Sequence, residues 1–269
     1  MLTIIVWSKD RACQTELCLR SIQEKLHVDK KVIVQYTATT KEFHEGFDKV
    51  YDMYGGEHTN AVQFFNENTF KDTLLEILKT VNTDYILFHT DDDVYLQDVD
   101  NIGFKPAVGV DVACMSLRMN PTINRCYPAN NKEIKPPELS YNDIHMIWNW
   151  TEAEDQHCCW GYPMSVDSHI YRSKDIIPLI HEGHYNNVNS LESYLNRNRW
   201  YDKPYMLSFT ETKVYNVQNN FVQGHRMNEQ EYDINWLNEQ FLAGKRISTK
   251  PIYGMKPTSA HGKIPYEME

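Results

Sequence analysis

Long apolar runs are missing from this chain, and nowhere does it approach the roughly eighteen consecutive apolar residues of a membrane-spanning helix. The opening Met1-Leu2-Thr3-Ile4-Ile5-Val6-Trp7 is apolar but short, with neither the basic leader nor the cleavage site of a signal peptide. A cytoplasmic protein without a transmembrane segment is therefore expected. Positive charge is also scarce. Lys and Arg number 27 against 37 Asp and Glu, a net charge of −10. Such a chain repels a phosphate backbone, which argues against non-specific binding to nucleic acid. Any phosphorylated ligand then needs a metal ion or a local cluster of Arg and Lys to hold it. The six cysteines are scattered and lack metal-type spacing, so free thiols in a reducing compartment are expected. Without secretion the one sequon, Asn149-Trp150-Thr151, carries no weight. Internal repeats and low-complexity tracts are absent as well.

What is present is the material of one large domain. A chain of 269 residues, 24% charged, can bury a packed core. Residues 2–7 read as a strand buried on both faces. After the turn Ser8-Lys9-Asp10-Arg11, the stripe Leu17, Cys18, Ile22 and Leu26 marks a helix. Val32-Ile33-Val34 is a second strand, and Phe43, Phe47, Val50, Tyr51 and Tyr54 line a second helix stopped by Gly55-Gly56. A third strand is predicted over 61–65. Phe70, Leu74, Ile77, Leu78 and Val81 then mark the clearest helix, and Tyr85-Ile86-Leu87-Phe88 a fourth strand. The order β-α-β-α-β-α-β predicts an α/β, Rossmann-like fold: a mostly parallel open sheet flanked by helices. The pattern loosens afterwards. Strands are predicted over 112–117 and 165–172, with helices starting near Asp175 and at Ser190, the latter as N-cap. A last helix carries Ile234, Leu237, Phe241 and Leu242 and ends at Gly244. Trp148, Trp150 and Trp160 lie in the irregular middle, where they serve either the core or a platform for flat ligands.

Open parallel sheets bind ligands beyond the carboxyl ends of their strands. The densest charge falls there, at Asp91-Asp92-Asp93 after Phe88-His89-Thr90. Three adjacent carboxylates repel one another unless a cation or solvent compensates. In an extended segment Asp91 and Asp93 point one way and Asp92 the other, which lets two carboxylates approach one hard cation. Mg2+ and Mn2+ prefer such oxygens together with those of phosphates. A metal here would supply the positive charge the chain lacks and stabilise a diphosphate leaving group. The plainer alternative is a solvated acidic turn.

The run 85–93 resembles the Asp-x-Asp strand end of GT-A glycosyltransferases of the family 2 type. The segment 4–11, with Cys18-Leu19-Arg20-Ser21-Ile22 after it, is similar to their first strand and helix. The resemblance covers about the first 95 residues. It implies transfer of a sugar from a UDP-, GDP- or TDP-sugar to a carbohydrate or glycoconjugate acceptor, with Mn2+ or Mg2+ as cofactor. Asp91 would approach the ribose, Asp93 would hold metal and diphosphate, and Asp92 would lie among the donor contacts. The turn after the first strand adds Ser8, Asp10 and Arg11, with Glu67 and Lys71 as further donor-side candidates. His261 is the candidate for a late metal ligand, and His225 a second.

In the second half, 161–172 resembles the segment that passes under the acceptor. Ser190-Leu191-Glu192-Ser193 stands where inverting members carry a Glu-Asp pair, although Ser193 replaces the second acid. An inverting transfer needs a carboxylate base near the acceptor hydroxyl, and Glu192 and Asp167 are the candidates. Their alternative roles are a helix-start acid satisfying the dipole and a hydrogen-bonded structural acid. The implied organisation is one catalytic domain over 1–248, divided into a nucleotide-sugar-binding half (1–100) and an acceptor-side half (101–248). Residues 249–269 form a tail able to close as a lid. Two other readings compete: a non-catalytic nucleotide- or carbohydrate-binding module on the same scaffold, and a metal-dependent nucleotidyltransferase. The latter usually has a Gly-rich loop after the first strand, and 8–11 contains no glycine.

Overall fold

The structure is a computed structural model that describes residues 1–56, 62–100, 111–153, 159–219 and 231–269. Its first half follows the predicted alternation. The strands are β1 (Leu2–Lys9), β2 (Lys30–Thr37), β3 (Val62–Asn66) and β4 (Tyr85–Thr90), and the helices between them are α1 (Ala12–Lys25), α2 (Lys41–Tyr54) and α3 (Phe70–Lys79). These strands lie in the order β3-β2-β1-β4, all parallel. The reversal of order between β1 and β4 opens a crevice at their carboxyl ends.

Period-two alternation divides the core. Ile4 and Val6 of β1 pack with Leu17, Cys18 and Ile22 of α1 and with Phe47 and Val50 of α2, while Ile5 and Trp7 meet Phe70, Leu74 and Ile77 of α3. Each fully buried aliphatic residue of this kind contributes about 1.5–3 kcal/mol. Thr40 and Thr69 cap α2 and α3 by accepting from Phe43 and Asp72 N–H.

Beyond β4 the sheet continues with β5 (Asp93–Tyr95), β6 (Val112–Ser116), β7 (Ser140–Tyr141), β8 (His145–Asn149), β9 (His169–Arg172), β10 (Tyr205–Phe209), β11 (Val214–Val217) and β12 (His261–Gly262). Nine strands form one sheet in the order β7-β8-β10-β6-β9-β4-β1-β2-β3, while β12-β11-β5 form a small second sheet. β9 runs antiparallel to both β4 and β6, and β8 antiparallel to β10. The all-parallel run thus belongs to the first half, and the second half, where β10 is parallel to β6 but β9 and β8 run antiparallel to their neighbours, makes the sheet mixed. Since β6 is parallel to β4, its carboxyl end opens on the same edge as theirs, and so does the start of β9.

Several sequence expectations shift. Only His169–Arg172 of the predicted strand 165–172 is extended, because Ser168 takes a positive φ of 55° that ends the pairing. The helix near Asp175 is α4 (Ser173–Glu182). The next helix, α5 (Val188–Arg197), begins two residues early with Asn187 as N-cap, and Ser190 serves as the reciprocal member of its capping box. The last helix, α6 (Ile234–Leu242), fits its prediction, and Gly244 after it adopts φ 96°. The expectation of free thiols fails at Cys126, which is disulfide-bonded to a partner outside the described residues. Cys13, Cys18, Cys114 and Cys159 are buried thiols. Among the described residues no helix is long and apolar enough to cross a membrane.

Candidate functional site

The turn after β1 and the end of β4 meet across the crevice. Asp10 adopts φ 57°, a left-handed conformation that Asp tolerates. Its carboxylate accepts from Thr39 N and Oγ1 at 2.6 and 2.8 Å, tying the β1 turn to the end of β2. Ser8 Oγ donates to Asp91 Oδ2 at 2.6 Å, and Thr15 Oγ1 donates to Ser8. Arg11 Nη1 reaches Asp91 Oδ1 at 2.7 Å and Asp92 Oδ2 at 2.9 Å.

The backbone turns at Asp91-Asp92 instead of remaining extended. The expected pairing of Asp91 with Asp93 on one side is therefore corrected: Asp91 and Asp92 share Arg11, and Asp93 faces elsewhere. Asp93 is fully buried, accepting from Thr90 N at 3.1 Å and Asn216 Nδ2 at 3.0 Å, with His89 Nδ1 3.1 Å away. Two carboxylates on one guanidinium, with Asp93 close behind them, leave negative charge in excess. Burial pushes the Asp92 carboxyl up to about 7, opposed by Arg11 and reinforced by Asp91 and Asp93. Asp91 is raised for the same leading reason.

Glu67 and Lys71 stand apart from this group. Glu67 follows β3 and accepts from Gln35 Nε2 at 3.2 Å, and partial burial raises its pKa. Lys71 Nζ donates to Gly183 O at 2.6 Å and lies over the Tyr185 ring, fastened to the connection between α4 and α5.

The small sheet carries the site to the other half of the molecule. Asp93 of β5 pairs with Asn216 of β11, which pairs with His261 of β12, so the three occupy one rung. His261 Nε2 meets Arg118 Nη1 in a close contact and lies 3.6 Å from Asp167 Oδ2. Burial, then the Arg118 charge, lowers the His261 pKa. Arg118 also donates through Nη2 to Ser165 Oγ at 3.0 Å and lies 3.7 Å from Asp167. Ser165 Oγ donates to Glu192 Oε1 at 2.9 Å, which also accepts from Val166 N. Thr90 Oγ1 links Asp167 to the end of β4 at 3.3 Å, and Asn216 donates to Thr90 at 3.3 Å.

The two candidate bases are thereby driven apart. Burial alone would raise Asp167, yet its bond to His261 and the Arg118 charge outweigh that and hold it at about 2. Burial pushes Glu192 up to about 7, helped by the negative charge of Asp167. Glu192 is half-buried, and the surrounding protein penalises its charge. Asn187 begins α5, so Glu192 sits in the second turn and not at the helix start, which removes the dipole role.

Sequence reading missed Arg118, Ser165 and Asn216. Arg118 had a usable signal, a lone cation just past the apolar run of β6. The tryptophan platform is not formed: Trp148, Trp150 and Trp160 are buried, and their indole N–H groups donate to the carbonyls of Trp160, Lys203 and Ile123. His225 lies outside the described residues.

No family model matches the chain. A curated relative, the bifunctional glycosyltransferase pgtA of Dictyostelium discoideum, is 25% identical over an alignment of 242 residues that covers 77% of this chain and 30% of the relative. The chain therefore spans less than a third of that protein's length. Among solved structures, S. aureus TarS 1-349 aligns over 90% of this chain and 64% of its own, with 13% identity and a TM-score of 0.47. The mannosyltransferase PcManGT from Pyrobaculum calidifontis, in complex with GDP-Man and Mn2+, aligns over 47% and 41%, with 16% identity and a TM-score of 0.33. The sequence resemblance to glycosyltransferases, read from the first 95 residues, extends over most of the chain in the curated relative.

Proposed function

We propose that this chain transfers a sugar from a nucleoside-diphosphate donor to a hydroxyl of a carbohydrate or glycoconjugate acceptor, with inversion. The observation that carries this reading is the continuous network from the Asp run to Glu192, through Asn216, Thr90, Asp167, Arg118 and Ser165. It sets an anion-rich strand end and a carboxylate of raised pKa on one edge of the sheet. A donor diphosphate would lie against Ser8, Arg11 and the Asp run, with Arg11 as its nearest fixed cation. The acceptor oxygen bonds to the sugar's anomeric carbon as the bond from that carbon to the diphosphate oxygen breaks. The nucleoside diphosphate leaves with the electron pair, and Glu192 takes the hydroxyl proton. Asp167, held ionised by Arg118 and His261, is too weak a base for that step and instead orders its neighbours.

A divalent cation fits the donor side. The carboxylates outnumber the guanidinium, and Asp92 Oδ1, Asn216 Oδ1 and Gln218 Oε1 are buried acceptors without a hydrogen bond. Among the described residues no three acidic or imidazole side chains stand together as a ready metal cage, so Mn2+ or Mg2+ would be held first by the open oxygens of Asp92 and Asn216, with Asp91 or Asp93 turning toward it, and any part for His261 falls to its unpartnered Nδ1. When bound, such an ion supplies positive charge against the diphosphate leaving group.

The test is a thermal shift with UDP, GDP or TDP, each with and without Mn2+, on the parent and Asp93→Asn. At about 100 times its Kd, a nucleotide stabilises by roughly 2.7 kcal/mol, on the order of 5–10 °C for a domain of this size. A metal-dependent shift with one nucleotide, lost in the variant, is expected. No shift with any nucleotide in folded protein would sink the reading, while binding without sugar release would make the chain a binding module.

A further inference from the structure

Among the described residues Arg118 is the one buried arginine or lysine on the acceptor side, and the proposed reaction does not itself use it. It sits two residues past β6 and is 4% exposed. Its Nη2 donates to Ser165, and its Nη1 faces both His261 and Asp167. These partners come from separate parts of the chain: the loop before β9 and the C-terminal segment. Ser165 passes the contact on to Glu192 of α5. A buried guanidinium is a poor way to gain stability, since packed apolar side chains of similar volume often do as well or better. Its fork does what an apolar residue cannot: it holds a hydroxyl and a carboxylate at once, in fixed directions.

We propose that Arg118 is the positioning residue of the acceptor side, its fork fixing Ser165, and through it Glu192, against Asp167 and His261. The proposal rests on the reading of Glu192 as the base. The charged and titratable groups facing Glu192 are Asp167, Arg118, Tyr162 and Tyr171, and the Tyr162 hydroxyl hydrogen-bonds it. Of these only Arg118 brings positive charge. Removing it leaves Asp167 uncompensated beside Glu192 and loosens the Ser165 hydroxyl, and both changes disfavour the ionised Glu192.

The experiment follows the Glu192 carboxyl by 13C NMR in the whole chain, its signal assigned by loss in Glu192→Gln, alongside pH profiles of transfer. In Arg118→Gln the titration midpoint of Glu192 should rise by about one pH unit, and the alkaline-going rise in rate should move with it. Arg118→Lys keeps the charge and loses the fork. Its midpoint should stay near the parent's while kcat falls about tenfold or more and the donor KM holds. Should Arg118→Gln fail to fold, Ser165→Ala takes its place and should also raise the midpoint, because it removes a bond that favours the ionised carboxylate. An unchanged midpoint in Arg118→Gln, with rates lowered equally at every pH, marks a purely structural residue and overturns the proposal; full kcat in Arg118→Lys does the same. Undiminished transfer by Glu192→Gln is a different outcome: it removes the base reading, whereas the titration reads Arg118 directly.

Discussion

The two halves of the site are built in opposite ways. On the proposed donor side Ser8, Arg11 and Asp91 stand at or just past the ends of regular strands, and Asp91 accepts from both Ser8 and Arg11 at 2.6–2.7 Å. On the acceptor side the groups come from a loop before β9, a helix, a position just past β6 and the C-terminal segment, and Arg118 is what they share. A strand end inherits its position from the sheet. A constellation of loops has no such frame and needs a buried cation to hold it. The sides also differ in proton affinity. Arg11 faces two carboxylates and leaves Asp92 near 7, whereas Arg118 and His261 keep Asp167 at about 2 and Glu192 carries the raised value.

The sharpest way to separate the halves is Glu192→Gln. It removes the proposed base and keeps the shape, so transfer should fall by about 10²–10⁴-fold. Nucleotide binding, which belongs to the other half, should be unchanged by thermal shift. Equal losses of binding and transfer would show that the halves are not functionally distinct and would break the comparison.

The same substitution should have an opposite effect on stability, and pH reveals it. The folded-state pKa of Glu192 lies at about 7, above the ordinary 4.5. A raised carboxyl contributes stability that is fully present below the unfolded value and is lost as pH rises through the folded one. Gln does not titrate, so Glu192→Gln should overtake the parent between about pH 4.5 and 7 and stay ahead above that. The gain is at most about 3 kcal/mol from a shift of this size, and smaller once solvent screens the partly exposed group. Urea unfolding of both proteins at pH 5 and pH 8 measures it, and a pH-independent difference would contradict the raised pKa.

How much of this was legible in the sequence follows the same division. The four parallel strands, their helices and the Asp run could be read because both faces of β1 and β4 are buried and because Phe70, Leu74 and Ile77 repeat at helical spacing. The turn at Asp91-Asp92 could not, because alternation along a strand says nothing about where it ends, and this one ends at Thr90, just before the first carboxylate. Ser165 reads as strand for the same reason. It lies in a loop because Ser168 is left-handed, a choice made by tertiary contacts and not by local pattern. The C-terminal segment shows no periodicity, yet Ile252, Ile264 and Tyr266 are buried and Ser248 and Arg246 bond to the backbone of Glu267 and Glu269. Its order comes from long-range pairing, which leaves no local mark. Cys126 belongs here too, since spacing alone cannot reveal a bridge.

Lys71 gives the smallest expected effect and tests where the donor side stops. The resemblance to glycosyltransferases nominates it as a donor contact, but its ammonium is already committed to the Gly183 carbonyl and the Tyr185 ring. Such a pairing contributes on the order of 0.5–1 kcal/mol at a partly exposed site. Lys71→Met should therefore lower the midpoint of thermal unfolding by only a few degrees, through the connection between α4 and α5. The further shift on adding nucleotide should match that of the parent. If that shift disappears instead, the ammonium leaves Gly183 for the diphosphate when the donor binds, and the donor side extends past β3 into α3. The contrast between the halves would then be one of mobility as well as origin: a strand-built side completed by a side chain that swings in, facing a loop-built side already closed by Arg118.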